Sequence, residues 1–509
     1  MPVLRSALFA FVLALLPGLV HAQPAVEAAR SYRQAHEAQI LRDYADFLRI
    51  PNVASDSVNI RRNARHIQQQ FAARDVELDV LTVDGVPPIV TGRIEAPGAT
   101  RTLGIYVHYD GQPVDASRWT HGPWTPTLYT AAMHQGGTPR AFPAVGESVD
   151  PEARLYARGA GDDKAPIAAL LATLDGLQER DIELTSNIVF LFDGEEERGS
   201  PHLNQYLSQY EERFADVDLW LFCDGPVHQS RQPQVVFGVR GVTGMEVTVY
   251  GANRPLHSGH YGNRSPVPGQ MLANLLATMK STDGAVLIDG FYDTVAPLTA
   301  AEQAALGELP LVDEPLKDEL ALARTEGTER LEERLLLPSL TVRGLASGNV
   351  GEKARNIIPS TATAALGVRL VKGNDPNRML DRVEAHIRQQ GYHIVRETPS
   401  DSVLRAHPMV AKVTRGAGYP ASRASMGQPL ANQVIAAAER ASGQDVLRVP
   451  TLGGTLPVFM FEQVLGTPAI IVPIANHDNN QHAPDENIRL ANLWYGVDLY
   501  AALLTMPAR

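Results

Sequence analysis

Four short apolar runs in this chain each lead into a histidine or a group of carboxylates. Leu103 to Val107 precedes His108 and Asp110, and Ile188 to Phe192 precedes Glu196 and Glu197. Leu219 to Cys223 precedes Asp224, and Ile470 to Ile474 leads towards His482. Runs of this length with polar flanks read as buried strands, and open α/β sheets bind their ligands at the carboxyl ends of such strands. Imidazoles and carboxylates converging there would repel one another or be desolvated at great cost unless a positive charge lay between them. A divalent cation with N and O ligands meets that need. The pattern points to an α/β fold with a metal centre at one end of its sheet, and to metallohydrolase chemistry.

At 509 residues the chain is too long for a single core, so two domains are expected. A formal net charge of -12 argues against nucleic acid or an anionic membrane as the main partner and leaves a small-molecule substrate. Arg5, the apolar stretch Ala7 to Leu19 and the small-residue site Val20-His21-Ala22 read as a secretory signal over residues 1–22. That stretch falls short of the roughly 20 residues needed to span a bilayer. The expectation is an exported protein, periplasmic or extracellular, with no stable membrane insertion after cleavage. Cys223 is the only cysteine, which excludes an internal disulfide; within an apolar run it acts as a small core hydrophobe.

Glu27 to Leu48 has helical spacing. Asp162 opens a second helix, in which Ile167, Leu170, Leu171, Leu174 and Leu177 recur with a 3.6-residue period, so its carboxylate is expected beside the sheet end near His108. From Gly241 the pattern changes to alternating strands, Met245-Val247-Val249 and Ala362-Ala364-Leu366-Val368-Leu370, with a helix around Met271 to Met279. This order describes an α+β insert. Thr299 to Glu333 is charged and helix-prone without a metal signature. Gly416 to Gly427 reads as a return linker before a helix at Gln433 to Ala441 and a strand at Ala469 to Pro473. The expected organisation is a catalytic domain in two segments, 23–240 and 416–509, interrupted by an inserted domain at 241–415.

Each motif has a plain structural alternative when taken singly. In His108-Tyr109-Asp110 the carboxylate can fix the tautomer of the imidazole, or cap a helix beside a surface histidine. Gly161-Asp162-Asp163-Lys164 offers a carboxylate able to bridge two cations, or an ordinary helix N-cap. Glu195-Glu196-Glu197 followed by Arg198-Gly199-Ser200 is more specific, since one glutamate can bind metal while its neighbour handles protons. His482 and the nearby His477 compete for the last ligand position, and spacing does not choose between them.

In this order, His108-Tyr109-Asp110, Gly161-Asp162-Asp163-Lys164, Glu196-Glu197-Arg198-Gly199-Ser200, Asp224 and His482-Ala483-Pro484-Asp485-Glu486 resemble the M20 metallopeptidases. Pro255-Leu256-His257-Ser258-Gly259, Ala354-Arg355-Asn356-Ile357-Ile358-Pro359 and Gly453-Gly454-Thr455-Leu456-Pro457 extend the likeness over nearly all of the mature chain. The resemblance is greatest to the dipeptidase and carboxypeptidase branches. It implies a zinc-peptidase-like α/β catalytic domain, a mixed sheet flanked by helices, with an inserted α+β lid through which the protein forms a homodimer. Two divalent metal ions per subunit are implied, Zn2+ foremost with Mn2+ or Co2+ as alternatives. Asp162 would bridge them, with His108 and Asp224 completing one site and Glu197 and His482 the other. Glu196 is implied as general base, Asp110 as the residue orienting His108, and Glu195 as an extra residue outside catalysis. His257 would reach the partner subunit's active site and stabilise the oxyanion. Arg369 would grip a substrate carboxylate, with Gly453, Gly454 and Thr455 also binding substrate; a strand-face salt bridge is the alternative for Arg369.

Asp224 favours dipeptide-sized substrates, because carboxypeptidases of the family tend to carry Glu there. Thr451-Leu452 departs from the Arg-Glu that dipeptidase relatives often have before the Gly-Gly pair. The leading expectation is hydrolysis of dipeptides or small peptides by attack of metal-bound hydroxide. An N-acyl amino acid deacylase with the same metal centre is the enzymatic alternative, and a non-catalytic periplasmic solute-binding protein the alternative of another class.

Overall fold

The computed structural model describes residues 19–507, with side chains from Pro24 onward. An eight-stranded sheet forms the larger layer. Its middle is four mutually parallel strands in the order Asn187–Asp193, Thr102–His108, Leu219–Phe222 and Ala469–Ile471. These are the apolar runs of the sequence. Thr102–His108 and Leu219–Phe222 are buried throughout, as expected for parallel strands covered on both faces. Antiparallel strands Ile89–Ile94 and Leu78–Leu81 extend one edge, and Gln234–Val236 with Leu447–Val449 the other.

Helices Leu19–Leu48, Lys164–Glu179, Pro429–Ser442 and Leu490–Leu504 pack together in one core on the sheet. Lys164–Glu179 suits this place because its first three turns carry Ala165, Ala168, Ala169 and Ala172, good helix formers small enough for close packing. On the opposite face Trp220 is fully buried against Phe461 and Phe214. Gly104, in the neighbouring strand, is required there: a Cβ would lie 2.3 Å from the Trp220 ring.

A second sheet has five strands, ordered Ser339–Ala346, Thr361–Leu370, Gly241–Tyr250, Val410–Arg415 and His393–Val395. All come from between Gly241 and Arg415. Helices Pro268–Met279 and Pro376–Gln389 bury their apolar residues against it. Its edge strand Ser339–Ala346 is exposed over most of its length.

A small four-stranded sheet, Asn487–Arg489, Arg154–Tyr156, Thr127–Tyr129 and Pro139–Arg140, has no counterpart in the sequence reading. It places the residues following Tyr156 beside those preceding Asn487. The segment read as a linker, around Gly416 to Gly427, contains strand Ser422–Arg423 paired with Gly238–Val239. Of the residues read as a secretory signal, those up to 18 lie outside the described residues, and Leu19 onward belongs to the first helix.

Candidate active site

The parallel strands deliver their functional residues to one end of the sheet. His108 is the last residue of its strand and pairs in register with Asp193, so the glutamates that follow Asp193 arise beside it. After Glu196 and Glu197 the chain reverses at Gly199, whose φ of 82° is accessible to glycine without strain. Asp162 and Asp163 precede the helix Lys164–Glu179. The small sheet brings the His482 loop across to them.

Two groups of potential metal ligands result: His108, Asp163 and Asp224, and Asp162, Glu197 and His482, each group with its ligand atoms within 4.8 Å of one another. Asp162 lies between the two imidazoles, its Oδ1 2.8 Å from His108 Nε2 and its Oδ2 3.2 Å from His482 Nε2. His108 Nε2 is also 3.6 Å from Asp224 Oδ2, and His482 Nε2 is 3.2 Å from Glu197 Oε2. His477 lines the same cavity but belongs to neither group.

Asp110 is completely buried and sits beneath the cluster. Its carboxylate accepts the backbone N–H groups of Glu196 at 3.0 Å and Glu197 at 3.2 Å, and its Oδ1 lies 3.3 Å from His108 Nδ1. One aspartate therefore fixes both the imidazole and the turn bearing the glutamate pair. Glu195 points elsewhere, accepting from the N–H and Nδ1 of His202.

Several positioning contacts have no obvious sequence signal. Glu486 is buried and accepts N–H groups from Gly159, Gly161 and Asp162 at 3.1, 2.9 and 3.0 Å, and Arg158 Nη1 at 2.6 Å. Gln112 donates to Glu197 and Gln481 to Asp162, both at 2.8 Å. Gln481 and Glu486 flank His482 in one run, and Gln112 follows Asp110 by two residues, so proximity to the motifs was the available clue. Lys164 is buried, with its ammonium donating to the carbonyls of Phe47 and Ile50 at 3.0 Å each. Asn52 completes this anchorage: its carbonyl accepts from Gly111 N–H at 2.8 Å and its side chain donates to the Tyr109 carbonyl.

The electrostatics suit cations. Burial raises Asp110 and Asp224 to about 7 against the opposing influence of His108. Burial likewise pushes Glu196 well above the usual carboxylate range; His108 opposes this, while Asp224 and Glu197 add to it. Burial would also raise Asp162, but the imidazoles of His108 and His482 hold it below the ordinary range. Hydrogen bonds with Asp162 and Glu197 raise His482 to about 10. Asp224 Oδ2 and Glu197 Oε1 are buried without a hydrogen-bond partner. Carboxylates and imidazoles so crowded, with ligand atoms left over, fit divalent metal ions.

The cluster opens into a cavity of about 750 Å³, lined also by Glu196, Arg369, Tyr419, Gly453, Gly454 and Thr455. Arg369 contacts Thr455 across it. His257 is exposed and does not line this cavity; its Nδ1 accepts from Gly259 N–H at 3.2 Å, and its ring lies against His260. Of the residues singled out in the sequence, the structure thus brings together His108, Asp110, Asp162, Glu196, Glu197, Asp224 and His482, with Arg369 and the 453–455 turn across the cavity.

An α/β sheet carrying such a cluster at the ends of its parallel strands defines a metal-dependent hydrolase. Residues 104–506 match the family model for peptidase family M20/M25/M40. The chain belongs to that family and is a metal-dependent peptide hydrolase, which removes the solute-binding alternative. It is 26% identical over 423 residues to the Cys-Gly metallodipeptidase dug1 of Schizosaccharomyces pombe, covering 82% of each chain. It is 23% identical to the Beta-Ala-His dipeptidase of Homo sapiens over 99% of this chain and 98% of that protein. The crystal structure of an M20 family metallo-carboxypeptidase from Sulfolobus solfataricus superposes with a TM-score of 0.75 at 25% identity, covering 92% of this chain and 98% of that one.

One expectation is corrected: an exported, periplasmic or extracellular protein was expected from a cleavage site at Val20-His21-Ala22, and the first helix, Leu19–Leu48, runs through that site. The signal-like pattern rested on an apolar stretch and a small-residue site, features that can equally precede an amino-terminal helix, and Leu19 to Ala22 is part of such a helix. No helix of the described residues is long and apolar enough to cross a membrane.

Proposed function

We propose that this protein is a dimetal dipeptidase acting on dipeptides or small peptides. The observation that carries this reading is Asp162 between His108 and His482, with Glu197 and Asp224 beside them, in a cavity that also holds Glu196 and Arg369. Two cations would be held with Asp162 in common, His108 and Asp224 completing one set of ligands and Glu197 and His482 the other. Zinc suits the mixed N and O donors, and manganese or cobalt would be accepted by the same set. Bound cations supply Lewis acidity and lower the pKa of water in the site.

The chain's own residues do the rest. Glu196, held by Asp110 through its backbone N–H, takes a proton from the attacking water and returns it to the leaving amine. Arg369 orients the substrate through its carboxylate, a task matched to the guanidinium fork, and the Gly453-Gly454-Thr455 turn offers backbone to the peptide. The 241–415 segment acts as a lid and dimerises, placing His257 in the partner's site to stabilise the oxyanion. Support for that comes from the exposure of His257 outside its own cavity and from exposed apolar residues in the same 241–415 segment, Tyr261, Val342, Leu345, Val350 and Ile357.

Leu452 lines the cavity and offers no charge to a substrate ammonium, which favours deacylation of N-acyl amino acids as a second reading. Metal content of the purified protein, measured with hydrolysis of a panel of dipeptides and N-acetyl amino acids, decides. Two metals and dipeptide turnover are expected; turnover of the acetylated series alone would replace the first reading by the second.

A further inference from the structure

A second, apolar chamber of about 340 Å³ adjoins the cavity that holds the ligand cluster. Leu316, Leu331 and Leu335 line both spaces, so these side chains form the boundary between them. The chamber lies between Leu340 of the five-stranded sheet, residues 280–292 and the segment 313–338, most of which falls in the charged stretch Thr299 to Glu333 that showed no metal signature. Leu320 and Leu322 line the chamber yet are 60% and 46% exposed. Single exposed leucines are ordinary, but two in the wall of an apolar chamber beside a substrate cavity mark a surface shaped for an apolar group.

The charged residues around the chamber are already engaged, in ion pairs or with backbone groups. Lys280 pairs with Glu326 at 2.6 Å, Lys317 with Glu314 at 2.7 Å and Arg334 with Glu329 at 3.3 Å. Asp313 accepts the N–H of Leu331 at 2.9 Å, and Arg240 donates to the Leu337 carbonyl at 2.8 Å. These pairs leave the leucines as the surface that would recognise a ligand. The volume falls within the roughly 300–1,000 Å³ of small-molecule pockets.

We infer that this chamber is a specificity subsite for a large apolar side chain of the substrate, so that peptides carrying a leucine-sized residue are preferred over glycine-containing ones. This rests on the dipeptidase reading. A single methylene in an apolar pocket discriminates about 10- to 200-fold, so the full leucine side chain should raise kcat/KM at least about tenfold.

The test uses metal-loaded full-length protein with Gly-Gly, Leu-Gly and Gly-Leu. At least one leucine-containing dipeptide should exceed Gly-Gly by about tenfold or more, and the arm that does so identifies which substrate position enters the chamber. Leu320→Lys and Leu322→Lys, each placing a charge in the chamber wall at an exposed position, should bring that ratio towards one. Melting curves of both variants check that the fold persists. Equal kcat/KM on all three dipeptides in the parent, or an unchanged ratio in both folded variants, overturns the subsite and leaves the peptidase reading standing. Hydrolysis of none of the three overturns both.

Discussion

The Glu486 carboxylate accepts the backbone N–H of Asp162 at 3.0 Å, joining residues 324 positions apart in the chain. The same carboxylate takes Gly159, Gly161 and Arg158, so it holds the whole approach to Asp162. Glu486→Ala should weaken metal binding about 10- to 100-fold, as loss of outer-shell support does. It should also lower stability by about 3 kcal/mol, because Arg158 is left buried and unpaired. Metal titration and denaturant unfolding check the two effects, and Glu486→Gln should retain part of the metal affinity.

Glu196→Gln should reduce kcat by about 10²-fold or more while leaving two metals bound, since the amide keeps the shape of the side chain but loses its basicity. Near-normal turnover in the fully metallated variant would remove Glu196 from the role of proton shuttle. Glu197→Gln should instead lower metal content.

Asp162→Ala should disturb both metal positions, whereas His108→Ala should chiefly affect one. Metal stoichiometry of the two variants measures this. Retention of both ions in Asp162→Ala with their loss in Asp163→Ala would transfer the bridging role, a comparison made pertinent by Asp163 grouping with His108 and Asp224.

The residues that gather in the candidate site were legible because they follow apolar runs or open an amphipathic helix, and parallel strands carry such residues to a common end. His108, Glu197 and Asp224 belong to that logic. The role of Glu486 was not legible, although it stands in the His482 motif: most of its work is done on backbone N–H groups, and nothing in side-chain pattern announces that. The small sheet escaped because strands such as Pro139–Arg140 and Asn487–Arg489, of two and three residues, are too short to display a period. The leucines of 313–338 were obscured by the charges among which they are spaced. The export reading failed because apolar composition near a terminus does not distinguish a cleaved segment from a helix.

His257 should act across a dimer interface. An inactive His257→Ala subunit mixed with an inactive Glu196→Gln subunit should regain activity, because both defects of a mixed dimer fall in one site and leave the other intact. Activity measured after demonstrated subunit exchange tests this; no recovery would return His257 to its own chain or to packing.

Glu384 supplies a pH dependence away from the active site. Its carboxylate is buried between Arg396 and Arg415, at 2.7 Å from each. Burial alone would raise it, but the two guanidiniums outweigh burial and hold it at about 2. A depressed carboxylate contributes stability that is fully present above its unfolded value of about 4.3 and is lost as pH falls towards 2. Glu384→Gln should cost about 2 kcal/mol at neutral pH, discounted because the arginines are partly exposed. The difference from the parent should shrink between pH 4 and pH 2 in acid-unfolding curves.

The short bend from Phe47 to Asn52 is gripped from two sides, by the Lys164 ammonium at the carbonyls of Phe47 and Ile50 and by Gly111 at the Asn52 carbonyl. Lys164 adjoins the Asp162-Asp163 pair and Gly111 adjoins Asp110, so this bend ties the two arms of the site to one another like a rivet. Fusions, nicks or insertions placed there would therefore register as catalytic defects, although the bend supplies none of the reacting groups.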